Sequence, residues 1–102
     1  MPAQTITYSK TGANWTTATQ ANTEIESNIS ADLKTWYANA KTNNELTDFS
    51  VTLADSDTLV MTRTWSDDGW SNLSARKDEA AAVKAALESA GFTVTDIRSD
   101  YV

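Results

Sequence analysis

An internal repeat constrains the fold of this chain more than any other sequence feature. Residues 4–11 (QTITYSKT) align with residues 57–64 (DTLVMTRT), and residues 49–57 (FSVTLADSD) align with residues 92–100 (FTVTDIRSD), five of nine positions being identical in the second pair. The copies are 53 residues apart in the first pair and 43 in the second, so the first unit carries about ten extra residues. A chain with this pattern is expected to fold as two similar units that complete each other.

The length of 102 residues suits one small domain, because a unit of half this size buries too little surface to be stable alone. We therefore predict a single domain over residues 1–102, with repeat units at 4–57 and 57–100. The charged and hydrophobic fractions are those of an ordinary globular protein.

Each unit contains two segments in which apolar and polar residues alternate, as in half-buried strands. The apolar positions of the four predicted strands are Ile6 and Tyr8; Phe49, Val51 and Leu53; Leu59, Met61 and Trp65; and Phe92 and Val94.

Between the strands of each unit, apolar residues recur at steps of three and four, which predicts one helix per unit. The first helix is expected to run to about Lys41. The capping box Thr23-Glu24-Ile25-Glu26 places its start at Thr23, although a start near Thr17 stays open. The second helix extends over an alanine-rich stretch to Ala90, and Gly91 follows in a position typical of a left-handed helix terminus.

The polar link Asp55-Ser56-Asp57 predicts a hairpin between the second and third strands. The order is then βαββαβ, and right-handed crossovers lead to an α+β, two-layer ferredoxin-like sandwich: a four-stranded antiparallel sheet with two helices on one face. In the alternative duplicated arrangement, that of the trimeric tautomerases, the parallel strands are adjacent. The three-residue link favours the ferredoxin-like order.

Composition excludes several kinds of chemistry. The chain has no His and no Cys, so the commonest general base, the thiolate nucleophile and zinc–thiolate sites are absent. The net charge of −6 disfavours nucleic-acid binding, and the absence of an apolar run or secretory leader predicts a cytoplasmic protein that does not enter membranes. The pairs Asp55/Asp57 and Asp67/Asp68 are better explained by turns and helix caps than by a metal, so we expect no metal and no cofactor.

Sixteen Thr and ten Ser make up about a quarter of the chain, and many occupy alternate strand positions. These positions predict a hydroxyl-rich sheet surface, the Thr-rich face, directed away from the helices. Its predicted members are Thr5, Thr7, Ser9, Ser50, Thr52, Val60, Thr62, Thr64, Thr93 and Thr95.

Because no convergent catalytic set is visible, we expect a small non-catalytic interaction or structural accessory protein. It would form a homodimer, or bind another protein, through the Thr-rich face or a sheet edge. The alternative is a small-molecule-binding or enzymatic domain with a pocket at a subunit interface. The candidate ligand or interface residues are Tyr8, Thr62, Arg63, Thr64, Trp65 and Trp70.

The start Met1-Pro2 raises a further hypothesis, because removal of Met1 would place a secondary amine directly before a strand. In a duplicated βαβ frame this resembles the tautomerase superfamily, in which such a proline acts as a general base or nucleophile. The resemblance covers one residue and a topology. The basic partner it implies would be Lys10, Arg63 or Arg98.

Overall fold

The computed structural model describes residues 2–98, which form four strands and four helices. Met1, the Arg98 side chain and the last two residues of the predicted second repeat lie outside the part that is described. The elements in chain order are β1 (Ala3–Lys10), α1 (Ala18–Glu26), α2 (Ala31–Thr42), β2 (Leu46–Asp55), β3 (Thr58–Trp65), α3 (Asp67–Ser74), α4 (Lys77–Ser89) and β4 (Phe92–Arg98).

The strands form one antiparallel sheet in the order β2-β3-β1-β4. The hairpin predicted at residues 55–57 is present, with Asp55 as the last residue of β2 and the Asp57 amide donating to its carboxylate at 2.8 Å. Strands β1 and β3 are the two central strands. No parallel pair is adjacent in this sheet, so the alternative arrangement with neighbouring parallel strands is wrong.

The prediction of one helix per unit is wrong in both units, because each crossover contains two helices. In the first, α1 begins after Thr17, whose hydroxyl accepts from the Gln20 amide, and it ends at Glu26. Ser30 then starts α2 by accepting from the Leu33 amide. A second cap therefore interrupts an apolar stripe that continues across the break. The start near Thr17, which the sequence left open, is therefore the observed one. Thr23, the other predicted start, lies inside α1, and its hydroxyl donates to the Thr19 carbonyl.

The second crossover breaks in the same way. Ser66 caps α3, its hydroxyl accepting from the Gly69 amide. Asp67 and Asp68 lie in the first turn, where their carboxylates interact favourably with the positive end of the helix dipole. The helix ends at Ser74 and α4 starts at Lys77. Gly91 lies directly before β4 with a φ of +95°, the left-handed conformation that the sequence predicted.

The order strand–helix–helix–strand is thus the same in the two halves of the chain. Much of the extra length of the first half is the segment 11–17 between β1 and α1, where the second half has only Ser66. This segment is held by the β2–β3 turn. The Asp57 carboxylate accepts from the amides of Gly12 and Asn14, at 3.4 and 3.1 Å.

Buried side chains occupy one side of the sheet, which we call the core-facing side, and they form two clusters. The larger is built around Ile6, Leu59 and Met61 and includes Trp15, which stacks on Phe92. The smaller contains Leu46, Trp65, Trp70 and Leu73. Trp15 and Trp70 therefore belong to different clusters, and each is buried.

The residues of the predicted Thr-rich face are half-exposed on β1 and β3 and exposed on β2 and β4. The alternation of burial along both central strands places them on the side of the sheet away from the core. Seven of the sixteen Thr of the chain therefore lie on this surface.

Candidate functional site

Two polar side chains are buried on the core-facing side of the central strands. Gln4 on β1 is 2% exposed and Arg63 on β3 is 6% exposed, and they are directly opposite each other in the sheet register. Strand alternation alone places Arg63 there, because it lies between the buried residues Met61 and Trp65. A guanidinium keeps its charge at any ordinary pH, so its burial is costly unless a counter-charge compensates it.

The contacts of Arg63 do not supply that counter-charge. Its Nη1 donates to the Tyr37 hydroxyl at 3.4 Å, and its Cζ lies 4.3 Å from the centre of the Tyr37 ring. Its buried Nε has no hydrogen-bond partner among the described residues. The ion pairs in this part of the chain are Lys10–Glu24 and Arg76–Glu79, and neither involves Arg63.

Arg63 borders a cavity of about 370 Å³ between the sheet and helices α2 and α4, which we call the first cavity. Strands β1, β3 and β4 supply its floor, and α2, α4 and the residue Ile29 before α2 supply its walls. Its lining consists of Gln4, Ile6, Tyr8, Ile29, Leu33, Tyr37, Arg63, Lys77, Ala80, Ala81, Val83, Lys84, Leu87, Val94 and Asp96.

The first cavity exists because α4 packs loosely on the sheet. Leu87 is the one fully buried residue of this helix among those described, and the positions over the cavity include Ala80 and Ala81, whose side chains are too short to reach the floor. The cap residue Arg76 makes no side-chain capping bond to the helix backbone, and its guanidinium pairs instead with Glu79 in the first turn. Alanine gives α4 a high helix propensity but little volume, so the helix forms without filling the space beneath it.

Two polar groups on the floor, the Gln4 amide and the Tyr8 hydroxyl, differ in what they can offer a ligand. The Gln4 side chain donates to Asp96 at 3.1 Å and accepts from the indole of Trp65 at 3.4 Å, so both ends of its amide are occupied. Burial raises the pKa of Tyr8 from 10.0 to about 12, against the opposing effect of the nearby Arg63 charge. The Tyr8 hydroxyl is therefore protonated at neutral pH and can donate a hydrogen bond, beside a guanidinium that is also a donor.

The electrostatic character of the first cavity is opposite to that of the whole chain. Arg63, Lys77 and Lys84 line it, against the single carboxylate of Asp96. The chain as a whole has fourteen acidic and eight basic residues. Positive charge is therefore concentrated at this cavity, where an anion would be attracted.

A second cavity, of about 310 Å³, lies between helices α1 and α2 and strands β2 and β3. It adjoins the first cavity, because Ile29, Tyr37 and Arg63 line both. Leu46, Phe49, Met61 and Ala38 are apolar residues of its lining, and Lys34 and Lys41 outnumber Glu26 among the charged residues that line it.

The structure brings together some of the residues predicted as a site and separates others. Tyr8 and Arg63 both line the first cavity. Trp65 is fully buried and does not line that cavity, but it contacts two residues that do: Gln4 through a hydrogen bond and Tyr37 through its ring. Thr62 and Thr64 lie on the Thr-rich face, and Trp70 is buried in the smaller core cluster.

Pro2, the residue of the tautomerase hypothesis, is buried at the start of β1, and its carbonyl accepts from the Trp65 amide at 2.9 Å. It lines neither cavity. Lys10, one of the proposed partners, pairs with Glu24 at 2.7 Å, and the Lys10 ammonium lowers the pKa of that carboxyl.

Sequence reasoning missed Gln4, Tyr37 and the two lysines of α4 as parts of this site. The alternation of the strands contains a signal that could have identified Gln4, as it does for Arg63: each is a polar residue at a position where the strand pattern expects an apolar one. Tyr37 gives no such signal in the sequence, because an aromatic residue in a helix is more often a core residue than a part of a site. The two lysines give no such signal, since only the tertiary structure shows that α4 borders a cavity.

Comparison of the chain with protein-family profiles, with curated proteins and with solved structures finds no match. Within residues 2–98 no helix has the length and apolar character needed to cross a bilayer.

Proposed function

We propose that this protein binds a small molecule that has one carboxylate group and an apolar body, and that the first cavity holds it. The buried Arg63 side chain, with an unpartnered Nε and no carboxylate paired to it in the described chain, is the observation that carries this proposal. A ligand carboxylate would provide the missing counter-charge.

The donors at the floor favour a carboxylate over other anions. A guanidinium presents two parallel N–H groups that match the two oxygens of a carboxylate. The protonated Tyr8 hydroxyl adds a neutral donor next to it. Asp96 already places one negative charge at this cavity, so a monoanion leaves less excess negative charge there than a dianionic phosphate would.

The walls favour an apolar body of limited size. Leu33, Val83 and Leu87 offer aliphatic surface above the floor. If each non-hydrogen atom occupies about 30 Å³, the volume that a water takes in the liquid, the cavity of about 370 Å³ holds roughly twelve such atoms. Lys77 and Lys84, both exposed at the edge, would attract the anion as it enters.

Calorimetric titration of the purified protein with alkyl and aryl carboxylates tests this function. We expect saturable binding of one ligand per chain, and the substitution Arg63→Met should weaken it at least tenfold because the buried charge pair is lost. Arg76→Met is the matched control, since Arg76 also lies over an aromatic ring, Trp36 at 5.2 Å, but lines neither cavity.

The corresponding uncharged alcohols and amides provide the chemical control. They should bind far more weakly than the acids of the same carbon skeleton. Equal binding of acids and alcohols, or equal weakening by Arg63→Met and Arg76→Met, would contradict the proposed role of Arg63.

We also propose that the architecture is the two-layer ferredoxin-like sandwich, with one helix of each crossover extended by a short preceding helix. The strand order β2-β3-β1-β4 and the two central strands β1 and β3 support this assignment. The repeated strand–helix–helix–strand order supports the proposal that the chain arose by duplication.

A second candidate function is self-association of two copies through the Thr-rich face. On the central strands this face carries Ala3, Thr5, Thr7, Ser9, Val60, Thr62 and Thr64, and no charged residue among those described. A low number of charged residues is typical of the centre of a protein interface. A surface of this chain that faced solvent would instead be expected to carry some of its many charged residues.

Sedimentation equilibrium tests the self-association. A dimer is expected, and Thr7→Glu together with Thr62→Glu should convert it to a monomer by placing negative charges within the interface. Thr35→Glu, an exposed position on α2, is the control and should leave the dimer intact. A monomeric wild-type chain at high concentration would rule this function out.

A further inference from the structure

We infer that Tyr37 sets the length of ligand that the first cavity accepts, by separating it from the second cavity. This inference rests on the proposed function and adds a specificity-determining residue to it. Tyr37, Arg63 and Ile29 are the three residues that line both cavities, so the boundary between the cavities is where these side chains lie.

The Tyr37 ring is placed to act as a partition. It lies over the Arg63 guanidinium at 4.3 Å, and its hydroxyl accepts from Nη1 at 3.4 Å. Trp36 and Trp65 flank it, with ring centres 5.2 and 6.3 Å away. These neighbours hold the ring over the guanidinium, at the point where the two cavities meet.

The second cavity is suited to receive a hydrocarbon chain once that partition is removed. Leu46, Phe49, Met61 and Ala38 line it, and its volume is close to that of the first cavity. Because Arg63 is shared, a carboxylate bound there could direct an apolar tail to either side. In the wild-type protein the Tyr37 ring restricts the tail to the first cavity, so short acids fit and long acids do not.

A series of straight-chain alkanoates, from hexanoate to hexadecanoate, tests this inference by calorimetric titration. For the wild-type protein, affinity should rise about fourfold with each added methylene while the tail fills the first cavity, and then stop rising. In Tyr37→Ala the two cavities merge, so the rise should continue to chains several methylenes longer. Tyr37→Phe keeps the ring and should show the same limit as wild type.

A second substitution tests the location of the added space. Ala38 lines the second cavity and not the first, so Tyr37→Ala combined with Ala38→Phe should restore the wild-type limit. If Tyr37→Ala does not fold, Tyr37→Leu keeps apolar bulk against the two tryptophans and should shift the limit by a smaller amount.

The outcomes separate this inference from the function on which it rests. Failure of every alkanoate to bind the wild-type protein would contradict the proposed function. Binding with the same length limit in wild type and in Tyr37→Ala or Tyr37→Leu would overturn the role of Tyr37 and leave the carboxylate site standing.

Discussion

Arg63 shows how a single residue can be placed by its strand rather than by its partners. β3 alternates strictly between buried and half-exposed positions, and Arg63 takes a buried one, opposite Gln4. The surrounding residues offer it an aromatic ring and a weak hydrogen bond from Nη1, which do not neutralise its charge. In the unliganded chain this arrangement costs stability, because the charge has left water without a counter-ion.

Arg63→Met should therefore stabilise the ligand-free protein, by about 1 to 2 kcal/mol in the free energy of unfolding. Methionine fills a similar length with apolar atoms and removes the unsatisfied Nε. Denaturant titration measures this change. Arg76→Met, which removes an ion pair at the surface and a ring contact, should be neutral or should destabilise by less than about 1 kcal/mol. A stability loss of several kcal/mol in Arg63→Met would mean that Arg63 is a structural residue.

From the raised pKa of Tyr8 we expect the folded protein to lose stability at alkaline pH. Its pKa is raised from 10.0 to about 12, so the folded chain keeps a proton that the unfolded chain releases. The stabilisation from this group is complete below the unfolded pKa of 10.0 and is lost as the pH rises towards 12. Tyr8→Phe should remove this part of the pH dependence, which denaturant titrations across that interval would detect. An unchanged pH dependence in Tyr8→Phe would contradict the raised pKa.

At the scale of the elements, the strands were predictable and the helices were only partly so. Alternation identifies a strand from its own residues, so Ile6, Tyr8, Leu59 and Met61 were assigned correctly to the core. A helix break depends instead on which polar residue captures an exposed amide. Ser30 does so within an unbroken apolar stripe, and the stripe does not record the break.

The close packing of α3 at Gly69 predicts that a glycine-to-alanine substitution in this helix lowers stability instead of raising it. A Cβ at Gly69 would lie 2.5 Å from the Glu45 carbonyl oxygen, in the segment between α2 and β2. Alanine normally stabilises a helix relative to glycine by about 1 kcal/mol, but here Gly69→Ala should destabilise the protein by about 1 to 3 kcal/mol. Thermal unfolding measures the change. Ser71→Ala, exposed on the same helix, should alter stability by less than about 0.5 kcal/mol, and a stabilised Gly69→Ala would show that α3 is not in close contact there.

At the scale of the whole molecule, a four-stranded antiparallel sheet could be predicted, because the short link between β2 and β3 requires a hairpin. The cavities could not be derived in this way. Their volume depends on how far α4 and α2 stand from the sheet, which follows from the small side chains of α4 and from the breaks in both crossovers. Tyr8 and Arg63 were recognised as candidates, but only the tertiary structure joins them to Tyr37, Lys77 and Lys84.

The central claim is that the buried Arg63 guanidinium receives a ligand carboxylate, and the most direct test observes its Nε–H group. The chain has three arginines, at positions 63, 76 and 98, so their Nε–H signals can be assigned in a ¹⁵N–¹H correlation spectrum by using Arg63→Lys and Arg76→Lys. During titration with decanoate, we expect the Arg63 signal to shift and its proton exchange to slow, while the Arg76 signal stays in place. An Arg63 signal that does not move at saturating ligand, or that moves together with the Arg76 signal, would contradict the claim.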